Sequence, residues 1–361
     1  MSDLGQTPSG NRIRIAFFGL RNAGKSTLVN AFTSQNIAIV SDVAGTTTDP
    51  VSKAMEIPPL GPCIVTDTAG LDDSGELGEM RVKKSLDILA VSDIAVWVDG
   101  GVPGGVHETR LKEECKRRGI RLLTYHRGDS VEGLKRKIAG MDIGDVEPSL
   151  LEGLVSAGDK VVCICPIDSS APKGRLILPQ VQVVRACLDA HAVCTVCQVE
   201  DIPDGDYDLA ITDSQAFARV KGRFARLTSF SVLFARQKGR LDVFAEGLGA
   251  VADLCDGAEV LVVEGCTHHR QCEDIGTVKI PAALKKLSSK NLKLRYVSGN
   301  SFPDDLSGVS LVVHCGGCML TRREMLRRIE IAQSCKVPMV NYGLLLAAAA
   351  GIAVEDIQNF S

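Results

Sequence analysis

The chain has 361 residues, 45% of them hydrophobic and 24% charged, with a formal net charge of −3. That length supports two or three domains with their own cores, and the composition is that of a soluble globular protein. The near-neutral charge leaves no electrostatic footprint for nucleic acid, and the 4% aromatic content offers few stacking platforms for single strands. No apolar run reaches the roughly 20 residues of a membrane span, and Leu344 to Val354, which comes nearest, reads as a buried helix. Neither nucleic acid nor a membrane is therefore an expected partner. Residues 1–11 read as a flexible N-terminus, and Met1 to Gly10 is too short and polar for a signal or transit peptide. Thirteen cysteines in such a chain point to a reducing, cytoplasmic compartment rather than a disulfide framework.

Residues 12–147 read as a P-loop GTPase domain. An apolar strand, Arg12 to Phe18, runs into Gly19-Leu20-Arg21-Asn22-Ala23-Gly24-Lys25-Ser26, which fits G-x-x-x-x-G-K-S, and Thr27 to Phe32 continues as a helix. Backbone N–H groups of such a loop wrap phosphates, Lys25 reaches the β and γ oxygens, and Ser26 ligates magnesium. Gly45-Thr46-Thr47-Thr48 offers Thr47 for a switch loop that closes on magnesium. The strand Ile64-Val65-Thr66-Asp67 ends in Asp67-Thr68-Ala69-Gly70, an Asp-x-x-Gly motif. Asp67 would bind magnesium through water, and Gly70 would donate an N–H to the γ-phosphate. Together these motifs resemble the TrmE/Era-type GTPases. The resemblance implies that Asn22 helps bind potassium, that Leu71 stands in place of a catalytic glutamine, and that GTP hydrolysis is slow and potassium-stimulated.

One part of such a domain is missing. After the strand Ile94 to Val98 come one helix, His107 to Arg118, one strand, Arg121 to Tyr125, and a helix from about Val131. The guanine-reading Asn-Lys-x-Asp motif is absent. Either His126-Arg127-Gly128-Asp129 is a degenerate version of it, or one strand–helix pair has been lost, and the shortness of the span favours loss. Without that aspartate, preference for GTP over ATP is in doubt and hydrolysis is expected to be weak.

Residues 148–240 read as a small α/β domain. Strands are predicted at Lys160 to Cys165, Ala192 to Val199 and Leu209 to Thr212, with a helix ending at Leu188 and another within Leu227 to Ala235 behind a Ser or Thr cap. Cys194-Thr195-Val196-Cys197 looks like Cys-x-x-Cys, but residues three apart on a strand face opposite sides. Cys163 and Cys165 share a face, where a pair of buried cysteines reads as packing. With no catalytic constellation, this region reads as a packing or dimerisation module.

Residues 241–361 alternate helix and strand in a pattern that predicts a doubly wound sheet. Val260 to Val263 leads to Cys266-Thr267-His268-His269, and Leu311 to Val313 leads to His314-Cys315-Gly316-Gly317-Cys318, so two strands deliver cysteines and histidines to the carboxyl edge where open α/β sheets bind ligands. Met319 to Leu326 reads as a helix whose N-terminus would favour the thiolates of Cys315 and Cys318. Asn341-Tyr342-Gly343 falls at another strand end and would line the same crevice. Four structures compete for the cysteines: a 4Fe–4S cluster with three thiolates and one exchangeable iron, a Cys₃His zinc site, a redox disulfide Cys315–Cys318, and incidental buried thiols.

Cys-x-His, then 45 residues after His268, then His-Cys-x-x-Cys resembles the signature of the HydF family of FeFe-hydrogenase maturation GTPases. Matching phrases run through the chain, among them the first 100 residues, Pro172 to Gln180, Thr212 to Phe217, Leu227 to Arg236 and Asp274 to Pro281, while residues 102–147 depart from the pattern. The resemblance implies that Cys266, Cys315 and Cys318 ligate a 4Fe–4S cluster. It implies that Glu273 serves as a replaceable fourth ligand, with His268 and His314 near the cluster or as candidates for that place. It implies a homodimer formed through the middle domain. It also implies a scaffold and carrier that takes a diiron subcluster precursor from radical-SAM maturases and hands it to apo FeFe-hydrogenase, with GTP hydrolysis gating partner exchange. Two other readings stay open: a nucleotide-regulated redox or metal sensor without cargo, and a ribosome-associated GTPase with a zinc module, against which the scarcity of basic patches counts.

Overall fold

A computed structural model describes residues 9–34, 51–73, 76–143, 147–167, 176–213, 216–265, 275–299 and 302–351. The chain separates into two compact units, one within residues 5–146 and the other within 147–361. Of the N-terminal stretch, residues 1–8 lie outside the described residues, and Ser9–Asn11 form a short 3-10 turn.

The first unit runs β1 (Ile13–Phe18), α1 (Lys25–Thr33), β2 (Val51–Ile57), β3 (Gly61–Asp67), α2 (Glu76–Ala90), β4 (Ile94–Asp99), α3 (Gly105–Arg118), β5 (Arg121–His126) and α4 (Val131–Ala139). The sheet order is β2-β3-β1-β4-β5, with β2 antiparallel to β3 and the other pairs parallel. The strand period of two sends Ile15, Phe17, Val65 and Val96 to one face, under Leu28, Val29 and Phe32 of α1. Ala16, Phe18, Ala95 and Trp97 go to the other, under Leu89 and Leu111. Central strands buried on both faces explain the near-continuous apolar runs read from the sequence. Among the described residues nothing follows β5 in the sheet. Helix α4 returns to the α1 face, where Leu134 and Ile138 join the α1 residues. This is the shortened G domain expected from the loss of a strand–helix pair.

The second unit holds two four-stranded sheets, each wholly parallel. The first, ordered β7-β6-β8-β9, is built from β6 (Lys160–Ile164), α5 (Leu178–Asp189), β7 (Val193–Cys197), β8 (Leu209–Thr212), α6 (Phe217–Val220), β9 (Leu227–Ser229) and α7 (Phe230–Lys238). The second, ordered β11-β10-β12-β13, is built from α8 (Leu241–Gly249), β10 (Glu259–Glu264), α9 (Ile280–Ser288), β11 (Lys293–Ser298), β12 (Val309–His314), α10 (Arg322–Ser334), β13 (Met339–Asn341) and α11 (Tyr342–Ala349). Leu227–Ser229 forms a short strand ahead of the helix that was expected behind a Ser or Thr cap. The helix begins at Phe230, where the Ser229 side chain accepts from the Val232 N–H and caps it. Helix α7 is shared between the two cores: Phe230, Leu233 and Phe234 enter the first, and Val232 and Ala235 enter the second.

Candidate functional sites

The P-loop is held in the shape its sequence implies. Asn22 takes φ 57° and Gly24 φ 91°, which turns successive N–H groups inward ahead of α1. Lys25 is buried, and its Nζ donates to the carbonyls of Leu20 (2.8 Å) and Gly19 (3.3 Å) inside the loop. Burial lowers its pKa, while Asp67, Asp72 and Asp73 oppose that shift. The Arg21 N–H donates to Asp72 (2.6 Å) and its guanidinium pairs with Asp73 at 3.3 Å, so the P-loop and the stretch after Asp67 are clasped together. Gly70 lies in that clasp; a Cβ there would stand 2.5 Å from Arg21 Cγ and 2.9 Å from the Arg21 N. Leu71 is buried in the core, and its N–H donates to the Gly19 carbonyl.

Ser26 and Asp67, the two described residues expected to hold magnesium, lie in contact. The Ser26 hydroxyl donates to Asp67 Oδ2 at 2.6 Å. The other carboxylate oxygen, Oδ1, is buried without a hydrogen-bond partner. Burial raises the Asp67 pKa, against the Ser26 hydrogen bond and Lys25. An orphaned buried carboxylate oxygen beside a hydroxyl is a donor set that fits a hard divalent cation. Ala23 and Thr27 flank Gly24 and Ser26 in the loop and helix start as expected, and Thr47 lies outside the described residues. At the end of β5, the Asp129 carboxylate accepts from the His126 N–H (3.0 Å), and Asp99 pairs with the His126 ring at 2.9 Å. Asp129 is thus engaged in its own turn.

The strand ends of β10, β12 and β13 bring the second set together. The Cys315 sulfur receives the N–H of Gly265 at 3.0 Å and of Gly317 at 3.4 Å. Gly265 directly precedes Cys266, which lies with His268 and Glu273 outside the described residues. Gly317 sits at φ 67°, where a side chain would be strained and would strike Met325 Cε at 2.5 Å. Two backbone donors aimed at one sulfur favour its thiolate and fit a cluster or metal ligand. The expectation that a helix dipole supplies this effect is corrected. Helix α10 starts at Arg322, beyond Cys318, and its cap is Thr321, which accepts from the Glu324 N–H. Burial works against those backbone donors: it raises Cys315 and pushes Cys318 up to about 11.

His314 has a different place from the one its spacing suggests. It is fully buried, its Nδ1 bonds to the Cys315 carbonyl (2.7 Å), and its Nε2 bonds to the Arg328 guanidinium (3.0 Å). Both ring nitrogens are therefore taken, and this geometry leaves no nitrogen for a fourth cluster ligand. Burial holds the imidazole neutral, with a pKa lowered to about 3. Arg328 completes its own set with Glu324 (2.6 Å), the Gly299 carbonyl (2.7 Å) and the face of Phe302. From the other side, buried Lys238 of α7 donates to the carbonyls of Leu320 (2.6 Å) and Cys318 (3.5 Å). Asn341 stands in register with His314, its Oδ1 accepting from the Gly343 N–H while its buried Nδ2 has no partner. Arg328 and Lys238 escaped the sequence reading because nothing local marks them; they reach the loop only through tertiary packing.

The first sheet of this unit holds another convergence that spacing did not reveal. The ligand atoms of Cys163, Cys187 and Cys194 all lie within 4.8 Å of one another. Cys197 falls on the opposite face from Cys194, as strand alternation required.

Residues 150–239 match the family model described as the hydrogen maturase F dimerization domain, and residues 242–358 match the hydrogen maturase F tetramerization domain. Together these cover more than half of the chain. Residues 14–124 match a model described as 50S ribosome-binding GTPase. Among curated proteins, the tRNA modification GTPase MnmE of Beijerinckia indica is 35% identical over 102 residues, covering 27% of this chain and 22% of that protein. The GTPase Der of Myxococcus xanthus is 33% identical over 126 residues, covering 34% of this chain and 27% of that protein. The chain thus spans about a quarter of the length of these relatives. A solved structure of Aquifex aeolicus Era bound to GDP and AlF4− aligns at 16% identity, over 58% of this chain and 98% of that chain, with a TM-score of 0.27, too low to carry weight. The models that span the second unit are particular to one family, and the chain belongs to that family: HydF, the hydrogenase maturation GTPases.

Proposed function

We propose that the chain is a GTP-hydrolysing scaffold and carrier in FeFe-hydrogenase maturation. In this reading Cys266, Cys315 and Cys318 hold a 4Fe–4S cluster, and Glu273 or His268 is the replaceable fourth ligand. The cargo is the diiron subcluster precursor, received from radical-SAM maturases and delivered to the apo-hydrogenase. The observation that carries the reading is the Cys315 sulfur, partly buried at the carboxyl edge of a parallel sheet and aimed at by two backbone N–H groups. A bound cluster would supply an iron whose weakest ligand can be exchanged. This chain's own residues set its surroundings: the His314–Arg328–Glu324 network fixes the backbone at Cys315, and Lys238 fixes the turn after Cys318. The unpartnered Asn341 Nδ2 at the next strand end is a hydrogen-bond donor available to a ligand at that edge.

At the other site Lys25, the P-loop N–H groups and Gly70 would hold GTP, Ser26, Thr47 and Asp67 would hold magnesium, and Asn22 would hold potassium. Hydrolysis would gate exchange of partners through the switch segments. We divide the chain at residues 12–147, 148–240 and 241–361, with a homodimer formed on the middle part. Its β7 edge, where Val193 is 57% and Val196 44% exposed, is the apolar surface that a second copy would cover. The direct test is activation: apo-hydrogenase mixed with the loaded protein should gain activity. A loaded protein that holds its cluster yet activates nothing would leave a sensor and remove the carrier.

A further inference from the structure

We propose that Cys163, Cys187 and Cys194 form a second metal site, a three-thiolate centre for a thiophilic divalent ion such as zinc. Three elements build it. Cys163 lies on β6, Cys194 on the edge strand β7 and Cys187 on the helix α5 packed over them. The β6–β7 register pairs Val161 with Cys194, so Cys163 stands two residues further on the same face, and the Cys163 and Cys194 sulfurs come to 3.7 Å. All three sulfurs fall within 4.8 Å of one another. Three thiolates at about 2.3 Å from one tetrahedral ion stand about 3.8 Å apart, so contraction by less than about 1 Å closes the site.

The surroundings fit the same chemistry. Cys163 and Cys187 have no exposed surface, whereas Cys194 is only partly buried. The ion thus has an entrance and a fourth position on the Cys194 side, open to water. Hydrocarbon from Val161, Val183, Leu209 and Leu233 belongs to the same core, which excludes competing ligands from the inner side. Small buried thiols that merely fill space would serve equally well facing hydrocarbon; here three of them face one another. On binding, three S–H bonds break, three metal–sulfur bonds form and three protons pass to solvent, with no change in oxidation state. The ion would fasten the edge strand β7 to β6 and α5, behind the surface proposed for the second copy.

The test uses the full-length chain, reduced and metal-free, carrying Cys315→Ser and Cys318→Ser so that the other cysteine loop cannot contribute. Titration with zinc should show one tight equivalent, and cobalt in its place should give sulfur-to-metal charge-transfer absorption. Adding Cys187→Ala should weaken zinc by more than about a hundredfold. Because a fully buried substitution can unfold the domain, Cys194→Ser at the partly exposed position supplies a second reading. It should lower the cobalt–thiolate absorption by about a third, the share of one ligand in three. No tight zinc in the first protein, or binding unchanged by both further substitutions, would overturn the site.

Discussion

Arg328 is fully buried and yet carries a charge, and its environment explains how. Glu324, His314, the Gly299 carbonyl and the ring of Phe302 between them satisfy the guanidinium. Such a network stabilises only while complete, because removing one member leaves the other charge buried. Arg328→Met should therefore cost about 3–5 kcal/mol in urea unfolding, and adding Glu324→Leu should recover much of that loss. An Arg328→Met protein as stable as the parent would show that the network does not hold the cysteine loop. Lys25 works at a different site and should separate cleanly. Lys25→Ala should reduce phosphate release from GTP by about a hundredfold or more while leaving iron content intact. A simultaneous loss of iron would mean that the two sites depend on each other.

At the scale of elements, the edge strand β7 is the surface proposed for a second copy. Val193→Lys with Val196→Lys should shift the chain toward monomer in analytical ultracentrifugation, since lysines on an edge strand oppose strand pairing. An unchanged oligomer would move the interface elsewhere. Most elements were legible because they rest on local signals: the apolar runs of β1, β4, β10 and β12, the Gly-rich turn before α1, and the alternation of strand and helix. The P-loop and the two Cys-bearing strand ends were legible for the same reason. What escaped was convergence. Cys194 and Cys197 form a conspicuous pair in sequence, yet Cys194 meets Cys163 and Cys187, which come from another strand and a helix. His314 looked like a ligand by its place beside Cys315, but Arg328, 14 residues on, takes its free nitrogen. The helix from Arg322 was legible, but the apolar period of Met319 and Leu320 also suggested a helical turn directly after Cys318, which the Thr321 cap excludes.

At the scale of the whole molecule, the chain joins a shortened G domain to a unit whose two parallel sheets share the helix α7. The missing strand–helix pair removes the usual guanine reader, and Asp129 is occupied in its own turn. GTP and ATP should accordingly bind with affinities within about tenfold, a difference of some 1.4 kcal/mol. A larger preference for GTP would show that guanine is read by other residues. The second unit is where the proposed work is done, since the cysteine loop there is braced from β10, α7 and α10. The central claim is that Cys266, Cys315 and Cys318 hold a 4Fe–4S cluster, and anaerobic reconstitution with iron and sulfide tests it most directly. The parent should bind about four irons per chain and, once reduced, give the electron paramagnetic resonance signal of a 4Fe–4S centre, with each of Cys266→Ser, Cys315→Ser and Cys318→Ser losing it. Stoichiometric zinc without iron in the parent, or full iron content in all three variants, would contradict the account.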